Sequence, residues 1–170
     1  MKSIRGFTIV ELLIVIVVIA ILASISIVAY NGIQSRANDA ALASDLRQIK
    51  SKLELYYADN ATYPGYNQMV NDASLKMQIS KGSYATSPGT TSNIIQCYPS
   101  SSNSATFKII AKSKSGKAFA ISSDTGSAVE YTAAWNNDAT ALCSANGFNA
   151  NLRYYAADDT ATGPWRSWTN

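Results

Sequence analysis

The chain has 170 residues, enough for one compact domain and one additional element. It is 47% hydrophobic but only 15% charged, and it contains no histidine. This excludes histidine-based triads, histidine-ligated zinc and imidazole acid–base chemistry. The net charge is +3, and without Lys2 and Arg5 twelve cations face eleven carboxylates, which gives no general electrostatic reason to bind nucleic acid.

The first element is an apolar run that begins "RGFTIVELLIVIVVIAILA" and holds one carboxylate, Glu11; residues 12–35 carry no charge at all. Residues 7–30 as a helix reach roughly 36 Å, more than a hydrocarbon core of about 30 Å. Lys2 and Arg5 precede the run, so the positive-inside rule places the N-terminus in the cytoplasm and the remainder outside. A secretory signal peptide with small residues near 23–26, or a plain membrane anchor, would account for the apolarity. Neither gives Glu11 a role, although a carboxylate at a bilayer centre costs on the order of 3 kcal/mol.

The helical pattern continues past the apolar run. Residues 36–59 contain neither Gly nor Pro, and Leu42, Leu46, Ile49, Leu53 and Tyr56 recur at steps of four, three, four and three. Arg47, Lys50, Lys52 and Glu54 are expected mostly on the opposite side. "DNATYPG" ends the element, with Asn60 as the expected cap and Pro64-Gly65 preventing resumption. One helix over residues 7–58 would be roughly 78 Å long.

After Gly65, residues 69–79 read equally as a short helix or an irregular connection. "NIIQCYP", "TFKIIAKS", "AFAISS" and "AVEYTA" are β-prone runs separated by turns such as "SKSGK" and "SDTGS". Their close spacing predicts an antiparallel meander packed on the outer half of the long helix, an α+β arrangement. A turn of helix near residues 138–142 and a strand near 151–156 complete the reading. Cys97 and Cys143 make a poor metal site without histidine; a disulfide or two buried thiols are the remaining options.

Lys2, Arg5, Gly6-Phe7-Thr8 and Glu11 resemble the class III signal of type IV prepilins and the related pseudopilins. The resemblance implies a pilin-like α+β fold, a long N-terminal helix on a small antiparallel sheet, and no enzymatic activity or cofactor. It also implies a leader over 1–6, a transmembrane and filament-core half over 7–30, an amphipathic half over 31–64 and a globular head over 65–170. A prepilin peptidase would cut between Gly6 and Phe7 and methylate the new Phe7 amine. Glu11 of one subunit would then pair with the Phe7 ammonium of a neighbour. Breaking one member of such a buried pair costs about 3–5 kcal/mol, so the pair would set register during assembly.

The implied partners are the prepilin peptidase, other copies of the chain, minor pilins and an inner-membrane assembly platform. The implied location is a single-pass inner or cytoplasmic membrane protein with its C-terminus outside, then an extracellular pilus or a periplasmic pseudopilus. The main expectation is a type IV pilus subunit. A pseudopilin of a type II secretion or DNA-uptake system is the first alternative, and an anchored or secreted carbohydrate-binding module the second. Many members have Pro where Val28 stands and Gly where Ala20 stands, so local helix melting is not implied here. Small residues Ala20, Ala23, Ser24 and Ser26 permit close helix approach. In many pilins two C-terminal cysteines bracket an exposed loop, a role open to Cys97 and Cys143.

Weaker signals remain. Lys108, Lys112, Lys114 and Lys117 surround one predicted hairpin; a solvated face that resists edge pairing is preferred over contact with DNA or an anionic surface. Asp138, Asp158 and Asp159 match no calcium-loop spacing. Tyr56, Tyr57, Tyr63, Tyr66, Tyr154, Tyr155, Trp165 and Trp168 read as packing rather than a glycan surface. Asn60-Ala61-Thr62 matches a glycosylation sequon at a helix end, and Gly116-Lys117-Ala118 lacks the context of a P-loop.

Overall fold

The computed structural model describes residues 6–85, 92–99, 105–135, 139–148, 153–157 and 169. The first element is a single 52-residue helix, α1 (Ile9–Asn60). The chain divides into two compact units, residues 1–36 and 37–170. Within the second unit, Leu42, Leu46, Ile49 and Leu53 are each at most 2% exposed, so the expected stripe is the buried face, with Tyr56 packed at its end.

The helix runs to Asn60, two residues past the expected 58, and its left-handed cap falls one residue later than expected. Ala61, not Asn60, takes the left-handed conformation, at φ 56°, while its N–H donates to the Tyr57 carbonyl at 2.7 Å. Asn60 stays helical and its side-chain amide donates back to Tyr56 O at 2.9 Å. With Pro64 three residues on, the chain must turn at once, and the turn falls on the residue that follows the last helical one.

Residues 66–85 resolve the ambiguity of the connection by using both options. A short helix α2 (Tyr66–Asn71) is followed by two single 3-10 turns, Ala73–Leu75 and Lys81–Ser83. Asp72 caps the first of these turns, its carboxylate accepting from the Ser74 N–H at 2.8 Å. Met69, Leu75, Met77 and Tyr84 drop from this segment into the core.

Among the described residues the sheet has five strands: β1 (Ser92–Cys97), β2 (Lys108–Lys112), β3 (Ala118–Ser122), β4 (Val129–Tyr131) and β5 (Arg153–Ala157). Strands β1 to β4 form the expected meander, but the order is β4-β3-β2-β1-β5, so the last strand returns beside the first. The edges are therefore β4 and β5. The lysine-bearing hairpin β2–β3 is interior to the sheet, which removes the edge-blocking role expected of its lysines.

Alternation along the strands gives two apolar faces. Ile94, Phe107, Ile109, Ala111 and Ile121 pack with the α1 stripe, while Ile95, Ile110 and Ala120 point to the other side. There they meet Leu142 and Cys143 of α3 (Ala139–Ala145), with Trp135 and Phe148 beside them. Burial on both faces explains why "NII" and "KIIA" are unbroken apolar runs. Cys97 and Cys143 form a disulfide that ties α3 to β1, and both sulfur-bearing residues are fully buried.

Candidate functional site

The N-terminal segment is built on a reciprocal cap. Thr8 precedes the first helical residue, and Glu11 stands three positions on, the spacing of a capping box. The Glu11 carboxylate accepts from the Thr8 N–H at 2.8 Å and from its hydroxyl at 2.7 Å. The Glu11 N–H in turn donates to Thr8 Oγ1 at 3.3 Å. A carboxylate in the first turn also meets the positive end of the helix dipole. The acid is therefore satisfied by its own chain.

Beyond this cap the helix presents apolar surface all round. Phe7 is 83% exposed, and every large apolar side chain from Ile9 to Ile33 is also exposed. An 18-residue window of α1 reaches a mean hydropathy of 3.3 with none of its residues buried, so the helix is long and apolar enough to cross a membrane. Its hydroxyls are satisfied within the helix: Ser24 Oγ donates to Ile21 O and Ser26 Oγ to Leu22 O, each at 2.8 Å. Neither serine hydroxyl along this stretch then requires water.

The other singled-out residues separate. Lys117 pairs with Glu130 at 2.8 Å, and the Lys112 ammonium lies 5.8 Å from the Trp135 ring centroid. Lys108 lines a groove of about 260 Å³ beside β4. Tyr57 stacks on Tyr63 at 4.6 Å, and Tyr63 meets Phe107 edge-on at 4.7 Å, which is packing as expected. Asp138, Asp158, Asp159, Trp165 and Trp168 lie outside the described residues, as do the side chains of Tyr66, Tyr154 and Tyr155. No group of three or more metal-ligating side chains occurs among the described residues.

Two polar anchors were not legible beforehand. Lys50, expected on the solvent side, has a side chain only 12% exposed. Its ammonium donates to the carbonyls of Ser122, Ser123 and Thr125 and so holds the β3–β4 turn against α1. Asp45, 3% exposed, accepts from the Ser80 N–H at 2.7 Å and from the Tyr84 hydroxyl at 3.2 Å. Burial pushes the Asp45 carboxyl above the usual aspartate range, against the opposing hydrogen bonds, and burial also raises the Tyr84 phenol so that it remains a donor. A charged residue followed three to five positions on by apolar ones looks alike in a solvated and an anchored setting, so only tertiary contacts distinguish them.

Comparison with known proteins bears on the same segment. A family model for the prokaryotic N-terminal methylation motif matches residues 1–27. The type II secretion system core protein G of Klebsiella michiganensis is 37% identical over 67 residues, 39% of this chain and 47% of that protein. The protein of the same name from Escherichia coli is 38% identical over 64 residues, covering 38% and 44%. The type IV wide pilus major component of Thermus thermophilus is 41% identical over 63 residues, covering 37% and 48%. The chain thus spans less than half the length of these curated relatives, and no solved structure matches it. The methylation motif, these relatives and a long N-terminal helix packed on an antiparallel sheet carry one conclusion: over its N-terminal two-fifths the chain is similar to type II secretion pseudopilins and a type IV pilin.

Proposed function

We propose that the chain is a filament subunit of the pseudopilus kind, made as a precursor, cut between Gly6 and Phe7, methylated at Phe7 and polymerised through its apolar helix. The observation that carries this reading is the likeness of its N-terminal segment to core protein G of type II secretion systems from several bacteria. It favours the pseudopilus over the surface pilus that the sequence first suggested. The wide-pilus relative from Thermus thermophilus supports the surface pilus as the second reading.

The capping box adds a mechanistic step. In the isolated chain Thr8 satisfies Glu11, so a neighbour's Phe7 ammonium would compete for an acid that is already hydrogen-bonded. Because the charged pair is the stronger interaction in an apolar surround, the exchange would favour subunits in register. Before assembly the helix would lie in the inner membrane, and the prepilin peptidase, further copies of the chain and an assembly platform would be its partners.

Intact mass and N-terminal peptide spectra test the processing: a chain beginning at methylated Phe7 is the expected result, whereas one beginning near residue 24 refutes it. Deleting the chain then separates the two filaments. Loss of secreted enzymes with surface fibres retained is expected; loss of fibres with secretion retained would establish the surface pilus instead.

A further inference from the structure

Cys97 and Cys143 are bonded to each other and both are fully buried, so an external oxidant reaches neither sulfur in the finished fold. Forming the bond takes two electrons and two protons from a pair of thiols, and the acceptor must first touch one of the sulfurs. That contact is made before the fold closes. The two residues differ in how far their surroundings leave them open at that stage.

Cys97 ends β1, an interior strand, and its backbone faces Lys108 of β2 on one side and Arg153 of β5 on the other. Its side chain lies on the sheet face that carries Ile95, Ile110 and Ala120, so a reagent must come down onto that face. Cys143 lies in α3, a seven-residue helix that meets the sheet through Leu142. Just beyond α3, the Asn146 side-chain amide donates to the Tyr131 hydroxyl at 3.0 Å. Among the described residues, the α1-side cluster includes neither cysteine and no residue of α3. The sheet and that cluster can therefore form while α3 is still undocked, because so short a helix has little stability of its own to hold it in place. In that open state Cys143 moves out with its segment. Cys97 stays in the floor of the sheet.

We propose that Cys143 is the sulfur that a thiol–disulfide oxidoreductase engages, and that Cys97 is the resolving cysteine that closes the bond as α3 docks. The Cys143 thiolate attacks the oxidant's disulfide, which forms a mixed disulfide and releases the oxidant's second sulfur as a thiolate. The Cys97 thiolate then attacks Cys143 Sγ and the mixed bond breaks. The oxidant leaves as a dithiol, carrying both electrons and the two protons shed by Cys97 and Cys143. Docking of Leu142 into the cluster of Ile95 and Ile110 brings the two sulfurs together, so packing and oxidation complete each other. This order runs against synthesis, in which Cys97 emerges first. Both cysteines lie in the 37–170 unit, so the inference does not rest on the filament reading and holds for a pseudopilus or a surface pilus alike.

Full-length chain in detergent micelles tests this. The chain has two cysteines, so Cys97→Ala and Cys143→Ala each leave one thiol that cannot close an internal bond, and any mixed disulfide it forms persists. The probe is a thioredoxin-fold protein with a single active-site cysteine, loaded as its mixed disulfide with thionitrobenzoate, whose release times the attack. Under native conditions the Cys143 thiol of Cys97→Ala is expected to react about tenfold faster than the Cys97 thiol of Cys143→Ala, and in denaturant the two rates should converge. Equal native rates, or a faster Cys97, would overturn the proposal. A second measurement covers a single-cysteine variant that loses its sheet. The fully reduced parent is pulsed with the same probe, quenched in acid and digested. The first adduct is expected on the peptide that holds Cys143; a first adduct on the Cys97 peptide, or equal labelling of both, would refute the assigned order.

Discussion

Asp45 shows how one side chain can couple a helix to a loop that has little regular structure of its own. It is the acceptor for Ser80 and Tyr84, so it fixes the path of residues 80–84 against α1. Replacing it by alanine removes the acceptor that Asp45 offers to the partly buried Ser80 N–H and to the buried Tyr84 hydroxyl, at an expected cost of about 2 kcal/mol. Asparagine keeps one acceptor and should cost less. The pH dependence carries the sharper test. Because burial raises the Asp45 carboxyl in the fold, the folded chain binds this proton more tightly than the unfolded chain does. Its contribution is therefore fully present below the ordinary aspartate value of 3.8 and is lost as pH rises through the raised value. The Asp45→Asn variant lacks that loss. Its melting temperature relative to the parent should be more favourable at about pH 7 than at about pH 3. A difference that stays constant across that range would show that Asp45 does not titrate as its burial requires.

At the scale of elements, what was legible in the sequence was local. The four-three spacing from Leu42 to Tyr56 needs only the helix period, and the β-prone runs need only composition and turns, so both read correctly. The end of α1 was legible to within two residues, and its cap to within one. Which residue adopts the left-handed turn depends on where the last helical hydrogen bond closes, and that bond is made by Ala61 rather than Asn60. Alanine at φ 56° carries a strain that glycine does not. Ala61→Gly should therefore raise stability by about 1 kcal/mol net of the added freedom of the unfolded chain, read as a higher melting temperature. The position of β5 was not legible, because pairing beside β1 is decided by contacts across more than fifty residues. Lys50 was misread for the same reason: its three carbonyl partners lie more than seventy residues away. In the N-terminal segment the residue types were legible, but the cap between Thr8 and Glu11 emerged only with the helix start.

At the scale of the molecule, the sheet separates two apolar clusters that depend on different fastenings. The cluster on the α1 side draws on four helix residues, three strands and the 66–85 segment. The cluster on the other side is smaller, and α3, its main cover, has only seven residues. A helix that short is not stable by propensity, so its docking must come from packing and from the Cys97–Cys143 bond. Joining residues 46 apart restricts the unfolded chain by about 4 kcal/mol in the chain-entropy model. A Cys97→Ala/Cys143→Ala variant should lose stability of that order, but unevenly. Amide hydrogen exchange is expected to accelerate first in α3 and in β1 near Cys97, while residues 42–53 of α1 keep their protection until the whole fold opens. Because both cysteines are fully buried, reductant added to the folded parent should act only at the rate of such opening. Uniform acceleration across both faces would mean that the two clusters form one cooperative unit, with the disulfide stabilising the whole rather than its thinner side.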